Sequence, residues 1–206
     1  MPRAALRAAA PTVLAAVALD LAGCATAALP PPAAVVQRAA AVRSYSGRLR
    51  VTLKGPELRG RTAVLLGFRR PDGLRIEIPG PAGPRLVAVA RGDALVAVFP
   101  GERAVFRGPA TAAGLEDLLG IALGPAEVMD LLLGTPSPRV RDYRARWGPE
   151  VPREVQATLP DGGRLKATVE NATPDADLPE AAFADPPHEG YRAVDAAEAR
   201  RLWGAR

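Results

Sequence analysis

The chain has 206 residues, a formal net charge of +5 at pH 7, 48% hydrophobic residues and a single cysteine. One cysteine excludes an internal disulfide and any metal site built from several cysteines. Although 27 residues are basic, they are scattered along the chain and aromatic residues make up only 4%, so the composition argues against nucleic-acid binding.

The first twenty residues have the pattern of an export signal. Arg3 and Arg7 precede an apolar run from Ala8 to Leu19. This run is too short to cross a bilayer, which takes about 20 apolar residues, but it suits the hydrophobic region of a signal peptide. We therefore predict that residues 1–23 direct export and are then removed.

The cysteine follows this apolar run closely. Leu21, Ala22, Gly23 and Cys24 resemble the lipobox of bacterial lipoproteins, in which the cysteine receives a diacylglycerol before the chain is cleaved in front of it. The resemblance implies an acyl anchor on Cys24, on the periplasmic side of a bacterial cell envelope. In enteric bacteria an aspartate after the cysteine favours retention in the inner membrane, so by the same resemblance Ala25 implies the outer membrane. An ordinary signal peptide with an incidental cysteine is the alternative.

Behind the cysteine, the composition separates a tether from a folded domain. Residues 24–34 are rich in Pro and Ala, which predicts an extended tether. Residues 35–206 have the length and apolar content of one domain. This domain begins with a short helix in the sequence AAVVQRAAAV, where apolar residues recur on one side.

From Tyr45 the apolar residues alternate with polar ones, which predicts six strands up to about residue 108. Tight turns at PDG, RGD and PGE join them, with a longer loop over residues 79–84. A meander of this kind predicts an antiparallel sheet. One face of the first three strands carries Leu49, Val51, Leu53, Val64, Leu66, Phe68, Ile76 and Ile78.

The pattern changes at Thr111, an N-cap candidate for the first of two short helices. Pro125 suits the first position of the second helix, and Gly134 suits its end. A hairpin follows around DGG at 161–163, then a tail with an extended segment or edge strand at 178–187 and a last helical turn or two. The apolar stripes of the two helices are Leu118, Leu119, Met129, Leu132 and Leu133.

Residues for catalysis or metal binding are sparse. His188 is the only histidine, and no nucleophile elbow or glycine-rich phosphate loop accompanies it. The carboxylate pairs at 116–117 and 175–177 have no further metal ligands near them in the sequence. The sequence therefore predicts neither an enzyme nor a protein that binds a metal or cofactor.

The order of these elements resembles the LolA/LolB superfamily of periplasmic lipoprotein and lipid carriers, and its outer-membrane lipoprotein receptors above all. The resemblance covers residues 35–172 and rests on the lipobox, the helix, SYSGRLRVTL, GPAEVMDLLLGTP and DGGRLKATVEN in that order. It implies a mainly β (α+β) fold. That fold is a half-open antiparallel β-barrel with an N-terminal helix and short lid helices.

The same resemblance implies where a lipid would bind. The eight alternating strand residues would line an apolar cavity, and the five helix residues would form a displaceable lid. A membrane-facing loop would have Pro81 and Ala82 at its tip, where the family's receptors have a bulky leucine. The segment between Gly134 and Arg153 is too short for an additional hairpin of the family, which predicts a shallower cavity.

Two functions remain open at this stage. The first is a lipid-anchored carrier that binds acyl chains of lipoproteins or phospholipid for outer-membrane lipoprotein localisation or lipid trafficking, with a LolA-like carrier as a partner. The second is a non-transporting lipoprotein that uses the fold as a protein-interaction or envelope-sensing module. A continuous apolar cavity favours the first function, and a filled core favours the second.

Overall fold

A computed structural model describes residues 31–55 and 59–204 of the chain. Residues 21–24, which contain the predicted lipobox and Cys24, lie outside these ranges, as does most of the predicted tether. The described part forms one ten-stranded sheet with four α-helices.

The helices are α1 Ala33–Ala41, α2 Ala112–Leu119, α3 Pro125–Leu133 and α4 Ala196–Gly204. The strands are β1 Ser44–Lys54, β2 Arg59–Arg69, β3 Gly73–Gly80, β4 Gly83–Arg91, β5 Ala94–Phe99, β6 Ala104–Pro109, β7 Arg141–Trp147, β8 Pro152–Thr158, β9 Arg164–Pro174 and β10 Arg192–Val194.

The strands form a single open sheet in the order β10-β6-β5-β4-β3-β2-β1-β9-β8-β7. Neighbouring strands are antiparallel throughout, except that β10 runs parallel to β6. Because β10 and β7 stay at the two edges, the sheet does not close on itself. The predicted mainly β, half-open barrel with covering helices is confirmed.

The core lies between the concave face of the sheet and the helices. Leu49 and Leu53 of β1 are buried on this face, and the register pairs Leu49 with the buried Val64 of β2. β4 and β5 are buried on both faces, because a second apolar cluster on the outer face includes Val87 and Val96. The continuous apolar runs RLVAVA and ALVAVF follow from this double burial.

The two central helices have the ends that the sequence predicts. The Thr111 hydroxyl accepts a hydrogen bond from the Gly114 N–H at 3.3 Å and caps α2. Pro125 opens α3, and Gly134 follows its last turn with a left-handed φ of 91°. A side chain at 134 would also meet the ring of Trp147, because an added Cβ would lie 2.4 Å from it. Gly134 is therefore required for both backbone conformation and space.

Two sequence predictions for the connections are wrong. Residues 79–84 are not a six-residue loop, because Pro79 pairs with Pro84 and Gly80 with Gly83, which leaves a two-residue turn. The segment 178–187 is not an edge strand but contains a short 3₁₀ helix, in which Phe183 is buried. The segment between Gly134 and Arg153 adds one strand, β7, which pairs with β8.

Candidate functional site: an apolar cavity under the helices

The concave face of the sheet is not completely filled by the helices above it. A cavity of about 230 Å³ lies between them, far larger than an ordinary packing defect. From the sheet, its walls include seven of the eight predicted residues: Leu49, Val51, Leu53, Val64, Leu66, Ile76 and Ile78. Two residues of β9, Leu165 and Ala167, complete this wall.

Phe68, the eighth predicted strand residue, has a different place. It is fully buried and stacks on Tyr45 with ring centroids 5.2 Å apart and ring planes 6° apart. Phe68 is not among the residues that line the cavity. Burial raises the pKa of Tyr45 to about 12, so this ring stays neutral at physiological pH. The stacked pair therefore contributes to the packed core beside the cavity.

The helices supply the opposite wall. Leu119 of α2 and Leu132 of α3, both predicted lid residues, line the cavity together with Val128 and Leu131. The other three predicted lid residues, Leu118, Met129 and Leu133, are buried in the core and do not line the cavity. The α2–α3 connection adds Ile121 and Leu123 to the wall.

The cavity reaches the surface where β2 and β3 part. The ladder between them joins Leu65–Arg69 to Gly73–Glu77. β2 extends beyond this ladder to Arg59, and β3 extends to Gly80, without pairing to each other. Exposed residues of β2 border the cavity in this unpaired stretch, and Arg85 of β4 borders it from the other side. We call this opening the mouth; its residues are Arg59, Gly60, Arg61, Thr62 and Arg85.

Polar contacts hold α3 over the cavity. Arg70 donates to Asp130 at 2.5 Å, and the Tyr143 hydroxyl donates to the Leu131 carbonyl at 3.3 Å. Burial raises the pKa of Tyr143 to about 12, so its hydroxyl keeps its proton and remains a donor. Both contacts lie at the partly buried surface, whereas Met129 and Leu133 of the same helix are buried in the core.

α4 holds α2 from the outside. The Trp203 indole N–H donates to the Leu118 carbonyl at 2.6 Å, and its side chain lines the cavity. Arg200 contacts Asp117 at 3.3 Å, and Arg85 donates to the Trp203 carbonyl at 3.0 Å. α4 thus closes the cavity beside the mouth. Trp203 and Leu118 are 85 positions apart, so no local sequence signal indicates this contact.

The comparisons with known proteins return structural likenesses alone. No family model matches the chain, and no curated protein does. It is similar to a LolA superfamily protein from Nitrosomonas europaea, with 10% identity and a TM-score of 0.42 over 74% of this chain and 96% of that one. This likeness concerns the fold alone.

A second solved structure has the same kind of match. It is a domain from Vibrio parahaemolyticus described as an outer membrane lipoprotein-sorting protein. The identity is 8% and the TM-score is 0.41, over 73% of this chain and 94% of that one. The functional proposal for the present chain rests on its own cavity.

The predicted membrane-facing residues lie on the mouth side of the sheet. Pro81 and Ala82 form the exposed turn between β3 and β4, directly after the strand ends that border the mouth. Within residues 31–55 and 59–204, no helix is long and apolar enough to cross a membrane.

The residues considered for catalysis or metal binding are dispersed. In the described ranges, no group of three or more His, Cys, Asp or Glu side chains could hold a metal ion. His188 contacts Arg107 through Nε2, and its Nδ1 lies 2.6 Å from the Pro186 carbonyl oxygen. The ring therefore fastens the C-terminal segment to β6.

Proposed function

We propose that the protein is a lipid-anchored periplasmic carrier that binds the acyl chains of lipoproteins or phospholipid beneath α2 and α3. The observation that carries this proposal is the continuous apolar cavity between the sheet and these helices. In the proposed arrangement, residues 1–23 are removed, Cys24 is acylated, residues 24–34 are the tether and residues 35–206 are the domain. The outer membrane is the proposed site of the anchor.

The chemistry of the cavity wall suits an acyl chain. Apart from Trp203, its interior lining is aliphatic, and the polar lining residues are concentrated at the mouth. Transfer of a chain of about 16 carbons from water into such a wall supplies on the order of 10 kcal/mol before the costs of ordering and association. A cavity of this kind requires no cofactor to bind its cargo.

Uptake of a whole chain requires the helices to move. The volume of about 230 Å³ is below the 300–1,000 Å³ typical of small-molecule sites. Outward displacement of α2 and α3 would enlarge the cavity, with Leu119 and Leu132 following the helices. The proposed lid is therefore the α2–α3 unit, and a LolA-like carrier is the proposed donor or acceptor of the chain.

The experiment is native mass spectrometry with lipid extraction on the chain from Ala25 onward, purified from a bacterial envelope. We expect a stoichiometric co-purifying lipid or acylated peptide. The variant Val51→Phe places a ring in the cavity, because Val51 is partly buried and lines it. We expect this variant to lose most of its bound lipid and to keep its thermal stability.

Val169→Phe is the matched control. Val169 is also a partly buried strand valine packed against the core, but it does not line the cavity. It should therefore keep its bound lipid. A wild-type protein that is free of lipid and takes up no added phospholipid or lipoprotein contradicts the carrier. That result favours the protein-interaction or envelope-sensing module instead.

A further inference from the structure

The strand register gathers basic residues that are far apart in the sequence. One cross-strand row on the outer face pairs Arg59 with Lys54, Lys54 with Arg164, Arg164 with Thr158, and Thr158 with Arg141. The next row pairs Arg61 with Thr52, Thr52 with Lys166, Lys166 with Gln156, and Gln156 with Arg144. We call the seven cations the basic rows: Lys54, Arg59, Arg61, Arg141, Arg144, Arg164 and Lys166.

These cations are exposed and largely without acidic partners. All seven side chains are exposed on the sheet surface. Lys166 pairs with Glu154 at 2.9 Å, and Asp142 lies near the rows with its carboxylate accepting from the Thr158 hydroxyl at 3.0 Å. Within the described ranges, no ion pair joins the other six cations to a carboxylate.

Repulsion among the basic rows lowers the stability of the sheet when no anionic partner is bound. Lys54 stands directly between Arg59 and Arg164 in adjacent strands. Like charges directly opposite each other in an antiparallel pair destabilise the sheet. Seven exposed cations at one end also raise the local positive potential, which attracts anionic partners over a distance of about 10 Å at ordinary salt. The charge pattern therefore fits a broad anionic surface better than a single small anion.

The basic rows lie beside the mouth. Arg59 and Arg61 belong both to the rows and to the residues that border the cavity. Because β2 and β3 are antiparallel, the turn at Pro81 and Ala82 lies at this same end of the sheet. The turn has no bulky apolar residue to insert into a membrane, so charge is the means of attachment that this end of the molecule offers.

We propose that the basic rows dock the mouth of the cavity onto an anionic lipid surface. Juxtaposed Lys and Arg side chains are attracted to the phosphates of acidic lipids, and the attraction is additive over several cations. Docking in this orientation presents the mouth to the bilayer, which would serve the acyl transfer proposed above. The docking itself is a separate property and can be measured without any cargo.

The test uses the chain from residue 24 onward with Cys24→Ser, which keeps every described residue and removes the acyl anchor. Co-sedimentation is measured with vesicles of phosphatidylglycerol and phosphatidylcholine, and with vesicles of phosphatidylcholine alone. We expect binding to the acidic vesicles only. The triple variant Arg141→Gln, Arg144→Gln, Arg164→Gln should bind them at least tenfold more weakly, and binding should fall as salt is raised.

The control is a second triple variant with the same change in net charge: Arg38→Gln, Arg43→Gln and Arg153→Gln. These exposed arginines are not part of the rows; Arg43, for example, precedes Ser44, and the ten residue steps from Ser44 to Lys54 span roughly 33 Å. The control should bind acidic vesicles within twofold of the parent. Equal loss in both triple variants, or equal binding to neutral vesicles, would overturn docking by the rows.

Uptake of a monomeric fluorescent fatty acid is measured in parallel to separate the two proposals. The triple variant in the rows should keep the parent's uptake, because none of its three substituted positions lines the cavity. A parent protein that docks on acidic vesicles but takes up no fatty acid contradicts the carrier and supports the docking surface. A parent that takes up fatty acid but ignores acidic vesicles contradicts the docking surface alone.

Discussion

Trp203 is the residue that ties the C-terminal helix to the cavity. Its indole N–H donates to the Leu118 carbonyl, and its ring forms part of the cavity wall. A hydrogen bond of this kind is worth about 1 kcal/mol net. Trp203 therefore bears on two properties, the stability of the α2–α4 contact and the ease with which α2 leaves the cavity.

We predict that Trp203→Phe accelerates lipid release. The change keeps an aromatic ring in the wall but removes the hydrogen bond to Leu118, which should lower the free energy of unfolding by about 1 kcal/mol. The release rate of a fluorescent fatty acid in stopped flow should rise severalfold. Trp147→Phe is the control, because Trp147 packs beside Gly134 and does not line the cavity. An unchanged release rate in Trp203→Phe would contradict the prediction.

The pattern of apolar residues in the sequence predicts the face of a side chain but not its neighbours in the folded protein. Period-two alternation predicts one face for the eight strand residues, and seven of the eight border the cavity. It could not distinguish Phe68, which packs on Tyr45, because alternation gives the face of a side chain and not its position along the barrel. Trp203 reaches α2 across 85 residues, a contact that no local pattern encodes.

Among the elements, α3 depends on an acidic residue in its first turn. Glu127 accepts from the Gly124 N–H at 2.9 Å and from Arg139 at 3.0 Å. Burial by itself raises the pKa of Glu127, but hydrogen bonds from Ser137, Gly124 and Arg139 outweigh it and lower that pKa. A lowered pKa means that the charged form stabilises the folded state.

This linkage predicts a pH-dependent α3. The stabilisation from Glu127 is fully present above the pKa of an unfolded glutamate, about 4.3, and is lost as pH falls through the lower folded value. In urea unfolding, wild type should therefore be more stable than Glu127→Gln at pH 7, with a gap that shrinks below about pH 4. Arg139→Gln, which removes one donor, should lie between them. A gap that is unchanged at pH 3 would show that the charge of Glu127 is not involved.

The ends of elements were predictable where side chains or special residues mark them. Thr111, Pro125 and Gly134 correctly bounded the two central helices, because capping and left-handed positions have residue requirements of their own. The loop predicted for the segment PGPAGP is wrong, because four of its six residues pair between β3 and β4. Prolines at strand ends are compatible with pairing where their missing N–H is not needed.

The basic rows exist only at the scale of the whole molecule. Their cations come from four strands, and the sequence shows scattered arginines with no run among them. This scatter argues against nucleic-acid binding. It does not show that the cations align across the sheet, because the register of β1 with β9 joins residues more than 100 positions apart. The composition therefore indicates a net positive charge, and only the strand topology shows where on the molecule this charge is concentrated.

The chain's two lysines provide a test of this concentration of charge. Lys54 lies between Arg59 and Arg164, whereas Lys166 pairs with Glu154 at 2.9 Å. Because Lys54→Gln removes a like-charge contact on both sides, it should raise the free energy of unfolding by about 0.5 kcal/mol at low salt. Lys166→Gln removes the ion pair with Glu154, so the free energy of unfolding should stay unchanged or fall slightly. Urea unfolding at low and high salt measures both.

The salt dependence identifies the physical cause. Repulsion among exposed charges is screened within about 3 Å at 1 M salt, so the advantage of Lys54→Gln should disappear there. An advantage that persists at 1 M salt would indicate a gain in local packing or strand propensity instead. If Lys54→Gln is no more stable than wild type at low salt, the rows are not repulsive in the isolated protein. Neutralisation of the basic rows by an anionic surface would then not stabilise the sheet.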